Sequence, residues 1–369
     1  MGRETMHHTH LKRLPQAALA AAALAGFTAL PAHAVNFKGK TIEWIIPFKE
    51  GGGSDKWARV YVPFLGKALP GSPTVVVKYM PGGGSTTGAN YFAQRARPDG
   101  LTILGTSAST QFPYLLGDRK VRYQYKDWKI ILASPTGGVV YVSPKLGVKS
   151  PKDLAKLKGQ KLLYGSQGAT SLDLVPLLSF EMMGLNVNPV FGMRGRGPAR
   201  LAFERGELNL DYQTTSAYLA NVTPLVKEGK AIPLFSWGAL DENGKLVRDP
   251  TVPDLPHFVE AFELMNGKKP TGDSWNAWRA FFTAGFATQK MLFLPKGTKQ
   301  DIVDAYHAAF ATIFKDPAFQ KASRKRLGVY PQVTAKPAQV ALKEAIDVDP
   351  KALTWVRTWL VDRFKVKLK

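Results

Sequence analysis

An α/β fold with largely parallel sheets is the class this chain predicts, on three observations. Short β-rich runs alternate with helical stretches along most of the sequence. Several of those runs end in a loop of glycine and serine that opens the next helix. The 369 residues are 45% hydrophobic and contain no cysteine, so the fold must hold by core burial without disulfides, which a chain of this length can do.

The N-terminal element stands apart from this pattern. Lys12 and Arg13 precede an apolar, alanine-rich run from Ala17 to Leu30 of about 14 residues, which fits a signal-peptide core and is short for a bilayer span. Pro31-Ala32-His33-Ala34 supplies small residues at the two positions a signal peptidase reads. Residues 1–34 are therefore expected to be a signal peptide, cleaved after Ala34. The mature chain would start at Val35 outside the cytoplasm, with no further apolar window long enough to span a membrane and enough residues for two packed domains.

The α/β pattern then runs in order. Thr41 to Ile46 is a strand that stops at Pro47, followed by Gly51-Gly52-Gly53-Ser54-Asp55 and a helix through Trp57, Tyr61, Phe64 and Leu65. Thr74 to Val77 leads into Pro81-Gly82-Gly83-Gly84-Ser85 and a helix from Gly88 to Arg97. Leu101 to Leu104 leads into a third loop, Gly105-Thr106-Ser107-Ala108-Ser109. Lys161 to Tyr164 leads into Gly165-Ser166-Gln167-Gly168-Ala169-Thr170-Ser171 and a helix from Leu172 to Met183. Further strands are expected at 188–191, 208–212, 232–237 and 291–294, with a hinge-like strand at 139–142 and C-terminal helices at 300–314 and 352–364.

Composition and counting narrow the function. The formal net charge is +22, and about +20 once Arg3, Glu4, Lys12 and Arg13 leave with the leader. Lysine and arginine are spread along the chain with no nucleic-acid motif, so the charge favours anionic solutes or surfaces over nucleic acid. Four of six histidines lie in the leader, which leaves His257 in a proline-rich turn and His307 on a helix. Both read as structural. With no cysteine, no histidine pair at ligand spacing and no Gly-x-Ser-x-Gly elbow, thiol, zinc and elbow-type serine chemistry lack their parts, and neither metal nor cofactor is expected. Gly83 to Gly88 has the glycine spacing of a phosphate loop but carries Ala89 and Asn90 where Lys and Ser or Thr belong. Repeated strand, Gly/Ser loop and helix units instead suit an anion held by backbone N–H groups at helix starts.

These loops resemble the signatures of the tripartite tricarboxylate transporter substrate-binding proteins, the Bug family. Ile45-Ile46-Pro47-Phe48 with Gly51 to Asp55 and Ala58-Arg59 is similar to the first signature, and Val75 to Val77 with Pro81 to Gly84 and Gly88-Ala89 to the second. Pro98 to Leu104 resembles the third and Tyr164-Gly165-Ser166 with Gly168 the fourth, with weaker matches at Gly206 to Asn209 and Gly229-Lys230. The resemblance implies a two-lobed, type II Venus-flytrap binding protein, each lobe a mostly parallel sheet flanked by helices. It would deliver a small organic carboxylate to membrane permease subunits. It implies a first lobe of 35–136 plus 288–369 and a second of 137–287.

The resemblance also implies a pincer of two loops on the ligand. Its positions here are Phe48, Gly52, Gly53, Ser54 and Asp55 in the first lobe, and Ser166, Gly168, Ala169, Thr170 and Ser171 in the second, with Thr106 and Ser107 beside them. Phe48 is either an apolar wall or core, and Asp55 either caps its helix or holds water or a ligand amine. Several residues depart from the family pattern. Lys49-Glu50 replaces Pro-Pro, Met193 to Gly197 brings Arg194 and Arg196 to the cleft as candidate anion contacts, and Thr214-Thr215-Ser216 replaces Asp-Asn. An aromatic-rich insertion at about 264–285 carries Trp275, Trp278, Phe281 and Phe282, which either pack on the second lobe or form a cleft or docking surface. The leading function is capture and delivery by a monomer. The alternatives are a sensor subunit presenting its ligand to a receptor and an exported serine hydrolase.

Overall fold

Helices cover both faces of the first strand, β1 (Thr41–Ile46), which is why its run of β-branched and aromatic residues is buried almost end to end. In this computed structural model, which describes residues 1–2, 35–241 and 244–369, β1 pairs in parallel with β2 (Thr74–Tyr79) and β3 (Thr102–Ser107). The expected leader and its cleavage site lie outside the described residues. After the edge strand β4 (Lys129–Ser134) the chain passes to a second sheet made of β5 (Gly138–Val142), β6 (Leu162–Ser166), β7 (Val187–Phe191), β8 (Leu210–Thr214) and β9 (Ile232–Ser236), in the order β7-β6-β8-β5-β9. A small hairpin of β10 (Ala239–Leu240) and β11 (Leu246–Val247) follows, and β12 (Lys290–Leu294) returns to the first sheet, whose order is β2-β1-β3-β12-β4.

Each five-stranded sheet holds one antiparallel strand, and in each it is the strand that arrives from the other sheet. β12 runs against both β3 and β4, and β5 runs against both β8 and β9. Two mixed α/β sheets, exchanging one strand apiece, make the two-lobed architecture. Every strand expected from the sequence is present. β4 was not expected: it is a continuous apolar run that ends at Pro135 and leads straight into β5, without the glycine loop and helix that marked the others.

The helices that begin at strand ends are α1 (Gly53–Ala68), α2 (Thr86–Arg95), α3 (Ala108–Leu116), α4 (Leu174–Met182) and α5 (Arg196–Glu204). The expected third loop, 105–109, is corrected here. β3 runs through Gly105, Thr106 and Ser107, and Ser107 caps α3 directly by accepting the Ser109 N–H at 3.2 Å. Gly105 is in the strand because it faces Trp44 and Trp57, where a Cβ would fall 2.4 Å from the Trp44 ring nitrogen.

The aromatic insertion forms a helix, Gly272–Phe286, with its apolar face in the core. Trp278 stacks on Phe282 at 4.9 Å and on Phe258 at 4.4 Å, and its Nε1–H donates to Ser179 Oγ at 2.7 Å. Phe281 meets Phe112 of α3 edge-on at 5.0 Å, so the insertion also packs on the helix that follows β3. The last helix, Pro350–Phe364, closes over it, with Trp359 donating to Glu181 and Arg357 to the Leu116 carbonyl. No described helix is long and apolar enough to cross a membrane.

The two histidines do structural work. His257 caps the helix Phe258–Asn266: its Nδ1 accepts the Glu260 N–H, and the Glu260 carboxylate accepts the His257 N–H. Burial lowers its pKa below the ordinary histidine value, which keeps that nitrogen an acceptor. His257→Ala should cost about 1 kcal/mol in urea unfolding, the usual worth of a cap. His307 bonds the Ile130 carbonyl through Nε2 at 3.1 Å.

Candidate functional site

Two helix starts, one from each lobe, meet where the strand ends face each other. Gly52 caps α1 and Gly195 caps α5, and neither helix start has a side-chain cap, so their first N–H groups are left for another acceptor. The approach is close enough to require glycine. A Cβ on Gly197 would lie 3.0 Å from Gly52 N and 3.1 Å from Gly51 C, and one on Gly53 would overlap Thr214 Oγ1. Gly195 has φ +137°, a conformation other residues rarely adopt, and this turns the chain into α5. Direct bonds hold the lobes together here: Lys49 N–H to the Arg194 carbonyl at 2.9 Å, and Ser216 Oγ–H to the Gly53 carbonyl at 3.1 Å.

Between them lies a polar cavity of about 20 Å³, the space of roughly one water molecule. Phe48, Gly52, Gly53, Ser54, Ser107 and Thr214, all picked out from the sequence, line it. Ser109, Gln167, Leu172, Gln289 and Lys290, which sequence reasoning missed, complete it together with Arg196. Thr214 is 2% and Gln289 1% exposed, and among the described residues neither the Thr214 hydroxyl nor Gln289 Oε1 has a hydrogen-bond partner. A buried polar atom left unpaired costs about 1–3 kcal/mol, so such atoms in a cleft mark where a partner belongs.

Arg196 supports the second lobe's wall. Its guanidinium is buried between the rings of Tyr164 and Tyr212, pairs with Asp173 at 3.4 Å and with Asp211, and donates to the carbonyls of Gly165 and Tyr212. With those partners its donors are already engaged. Asp173 in turn accepts the Ser166 hydroxyl at 2.9 Å and the Gln167 N–H at 2.6 Å, which fixes the loop after β6. Burial raises the pKa of Asp211 despite the arginine and the Tyr141 hydroxyl that both bond it.

The remaining sequence-selected residues lie outside this cavity. Asp55 is buried in the first turn of α1, where its carboxylate accepts the Gly51 N–H, the Arg59 Nε–H and the Tyr79 hydroxyl. Thr106 bonds the Met291 carbonyl, Ser171 the Gly168 carbonyl, and Thr215 the Tyr330 hydroxyl. Gly168, Ala169, Thr170 and Arg194 instead line a larger groove of about 640 Å³ that shares Phe48 and Gln167 with the inner cavity. Thr170 there donates to Asp118 at 2.9 Å. Arg119, Lys120, Arg194, Lys365 and Lys367 give the groove five cations against that single carboxylate. The site is thus a small inner pit of donors opening beside a broad basic mouth. No group of acidic and histidine side chains that could hold a metal ion occurs among the described residues.

Known proteins share this fold and align with most of this sequence. A UPF0065 protein from the tcbD-tcbE intergenic region of Pseudomonas sp. strain P51 is 26% identical over 313 residues, which cover 81% of this chain and 82% of the relative. The structure of the periplasmic binding protein BugD superposes with a TM-score of 0.65 at 22% identity, covering 89% of this chain and 98% of that one. MatC from Rhodopseudomonas palustris with bound malate superposes with a TM-score of 0.64 at 20% identity, covering 86% and 98%. The family described as tripartite tricarboxylate transporter family receptor matches residues 59–341, most of the chain, and this protein belongs to it.

Proposed function

We propose that this chain is an exported solute-binding protein that captures a small organic carboxylate between its two lobes and hands it to the permease subunits of a tripartite tricarboxylate-type transporter. The carrying observation is the meeting of two uncapped helix starts, α1 and α5, around a cavity lined by buried donors. Partial positive charge and unpaired N–H groups at both starts suit one carboxylate oxygen pair. The inner pit would take the carboxylate head and the wider groove the ligand body, while the five groove cations draw anions in. The malate held by MatC belongs to the same chemical class as this expected ligand.

In this reading residues 1–34 are removed on export. The first lobe is 35–136 with 288–369 and the second is 137–287, closing as a hinge where the chain crosses between sheets. The protein acts as a monomer and performs no covalent chemistry. Neither His257 nor His307 lines the cavity or the groove, which leaves a serine hydrolase without its base at this site.

Thermal unfolding of the chain from Val35 onward against mono-, di- and tricarboxylates tests the proposal. A true ligand at a hundredfold excess over its Kd should add about 2.7 kcal/mol of stability. Gly197→Ala, which presses Cβ against the backbone of Gly51 and Gly52, should weaken that ligand about tenfold, or 1.4 kcal/mol, because the two helix starts must part by a few tenths of an ångström. No stabilisation by any carboxylate, in protein shown to be ligand-free, would sink the reading.

A further inference from the structure

Lys290 is the most unusual residue of the cleft. It opens β12 in register with Ser107 of β3 and Ser134 of β4, and it is only 4% exposed. Among the described residues its Nζ has one hydrogen-bond partner, Ser54 Oγ at 2.9 Å, and no carboxylate stands within ion-pair distance. An ammonium carries three donors, so two are left over in a wall that also holds the unpartnered Thr214 hydroxyl and Gln289 Oε1. Lysine is almost never this buried unless it is paired.

Resting on the carboxylate-binding reading above, we infer that Lys290 pairs directly with the ligand carboxylate, and that capture is coupled to uptake of a proton at this amine. The geometry supplies both halves. Ser54, in the first turn of α1, holds the amine at the cavity wall, and Thr214 offers a hydroxyl from the second sheet for the other carboxylate oxygen. The proton balance is simple: neutral amine, carboxylate and one proton from solvent give an ammonium–carboxylate pair, with no covalent bond made or broken.

The other charged groups do not compete for this role. Among the described residues Arg196 is the one other charged residue lining the cavity, and Asp173 and Asp211 hold it. From α1, Ser54 and Trp57 face this wall, with the Trp57 ring nitrogen bonded to Ser134, while the Asp55 carboxylate is taken by Gly51, Arg59 and Tyr79. Burial lowers the pKa of Lys290 to about 7, and no neighbouring carboxylate opposes the shift. An arriving carboxylate would raise it again. The site is therefore selective for ligands that bring their own negative charge, and a neutral amide analogue leaves the amine unpaired.

Calorimetric titration of malate, succinate, adipate, benzoate and succinamide, in two buffers of different ionisation enthalpy at pH 6 and pH 8.5, reads the coupling. For any carboxylate that binds, uptake of close to one proton is expected at pH 8.5 and little at pH 6. Affinity should fall by up to about tenfold per pH unit above 7. Lys290→Met, nearly the same shape, should abolish the uptake, flatten the pH profile and weaken binding at pH 6 at least tenfold. Lys290→Gln, or the wild-type buffer dependence alone, decides the matter if that variant misfolds. Binding without proton uptake overturns the inference and leaves carboxylate capture standing, and so does uptake that survives in Lys290→Met. Silence of the wild type toward the whole panel overturns both.

Discussion

Arg196→Met should destabilise the protein by about 3–5 kcal/mol in urea unfolding at pH 7, the range for breaking a buried ion pair from one side. The size follows from what remains. Asp173 and Asp211 are both 0% exposed, and losing the guanidinium leaves two carboxylates in the interior of the second lobe with only neutral donors. The cost comes from those orphaned charges, so removing one should return part of it. Arg196→Met with Asp211→Asn is expected to be more stable than Arg196→Met alone. The pH dependence has a definite sign. Burial already raises the Asp211 pKa in the folded state, and without Arg196 it must rise further. The folded variant then holds more protons than the unfolded chain above the usual carboxylate range, so its deficit should shrink as pH is lowered. A change under about 1 kcal/mol would mean that the network is not the buried cluster described above.

The same network explains why part of the site was legible in the sequence and part was not. Gly51 to Ser54 could be read because a strand ending in a glycine run that opens a helix has few other uses, and the structure puts Gly52, Gly53 and Ser54 on the cavity wall. Thr214 was visible because Thr214-Thr215-Ser216 stands where the family pattern has Asp-Asn, although β8 runs on to include it. The loop after β6 announced its hydroxyls equally clearly, but which way they turn depends on how the fold places their partners, one near in sequence and one far. Asp173 draws Ser166 inward, and Asp118 draws Thr170 to the groove. Arg194 and Arg196 were indistinguishable as sequence neighbours. Helix α5 begins between them, which sends Arg196 into the core and leaves Arg194 exposed at the groove. Gln289 and Lys290 gave no signal because their burial is made by β12 inserting between β3 and β4, a pairing across about half of the chain. A lysine at the start of a short strand ordinarily reads as a solvated end.

That lysine should leave a trace on stability as well as on binding. An unfolded lysine stays charged up to about pH 10.4, whereas burial brings the folded Lys290 to about 7. Between those values the unfolded chain binds the extra proton, so raising pH stabilises the folded state through this group. Below about 7 both states are protonated and the full penalty of a buried ammonium applies. At about 1.4 kcal/mol per pKa unit, ligand-free Lys290→Met should be more stable than wild type by about 4–5 kcal/mol near neutral pH and below. That advantage should fade as pH approaches 10. Urea unfolding of both proteins from pH 6 to 10 checks it, and a constant difference across that range would mean that Lys290 is solvated. The contrast with ligand binding is the informative part. The substitution that makes the free protein more stable is the one expected to bind carboxylate more weakly, because an unpaired buried amine is costly only until an anion arrives to meet it.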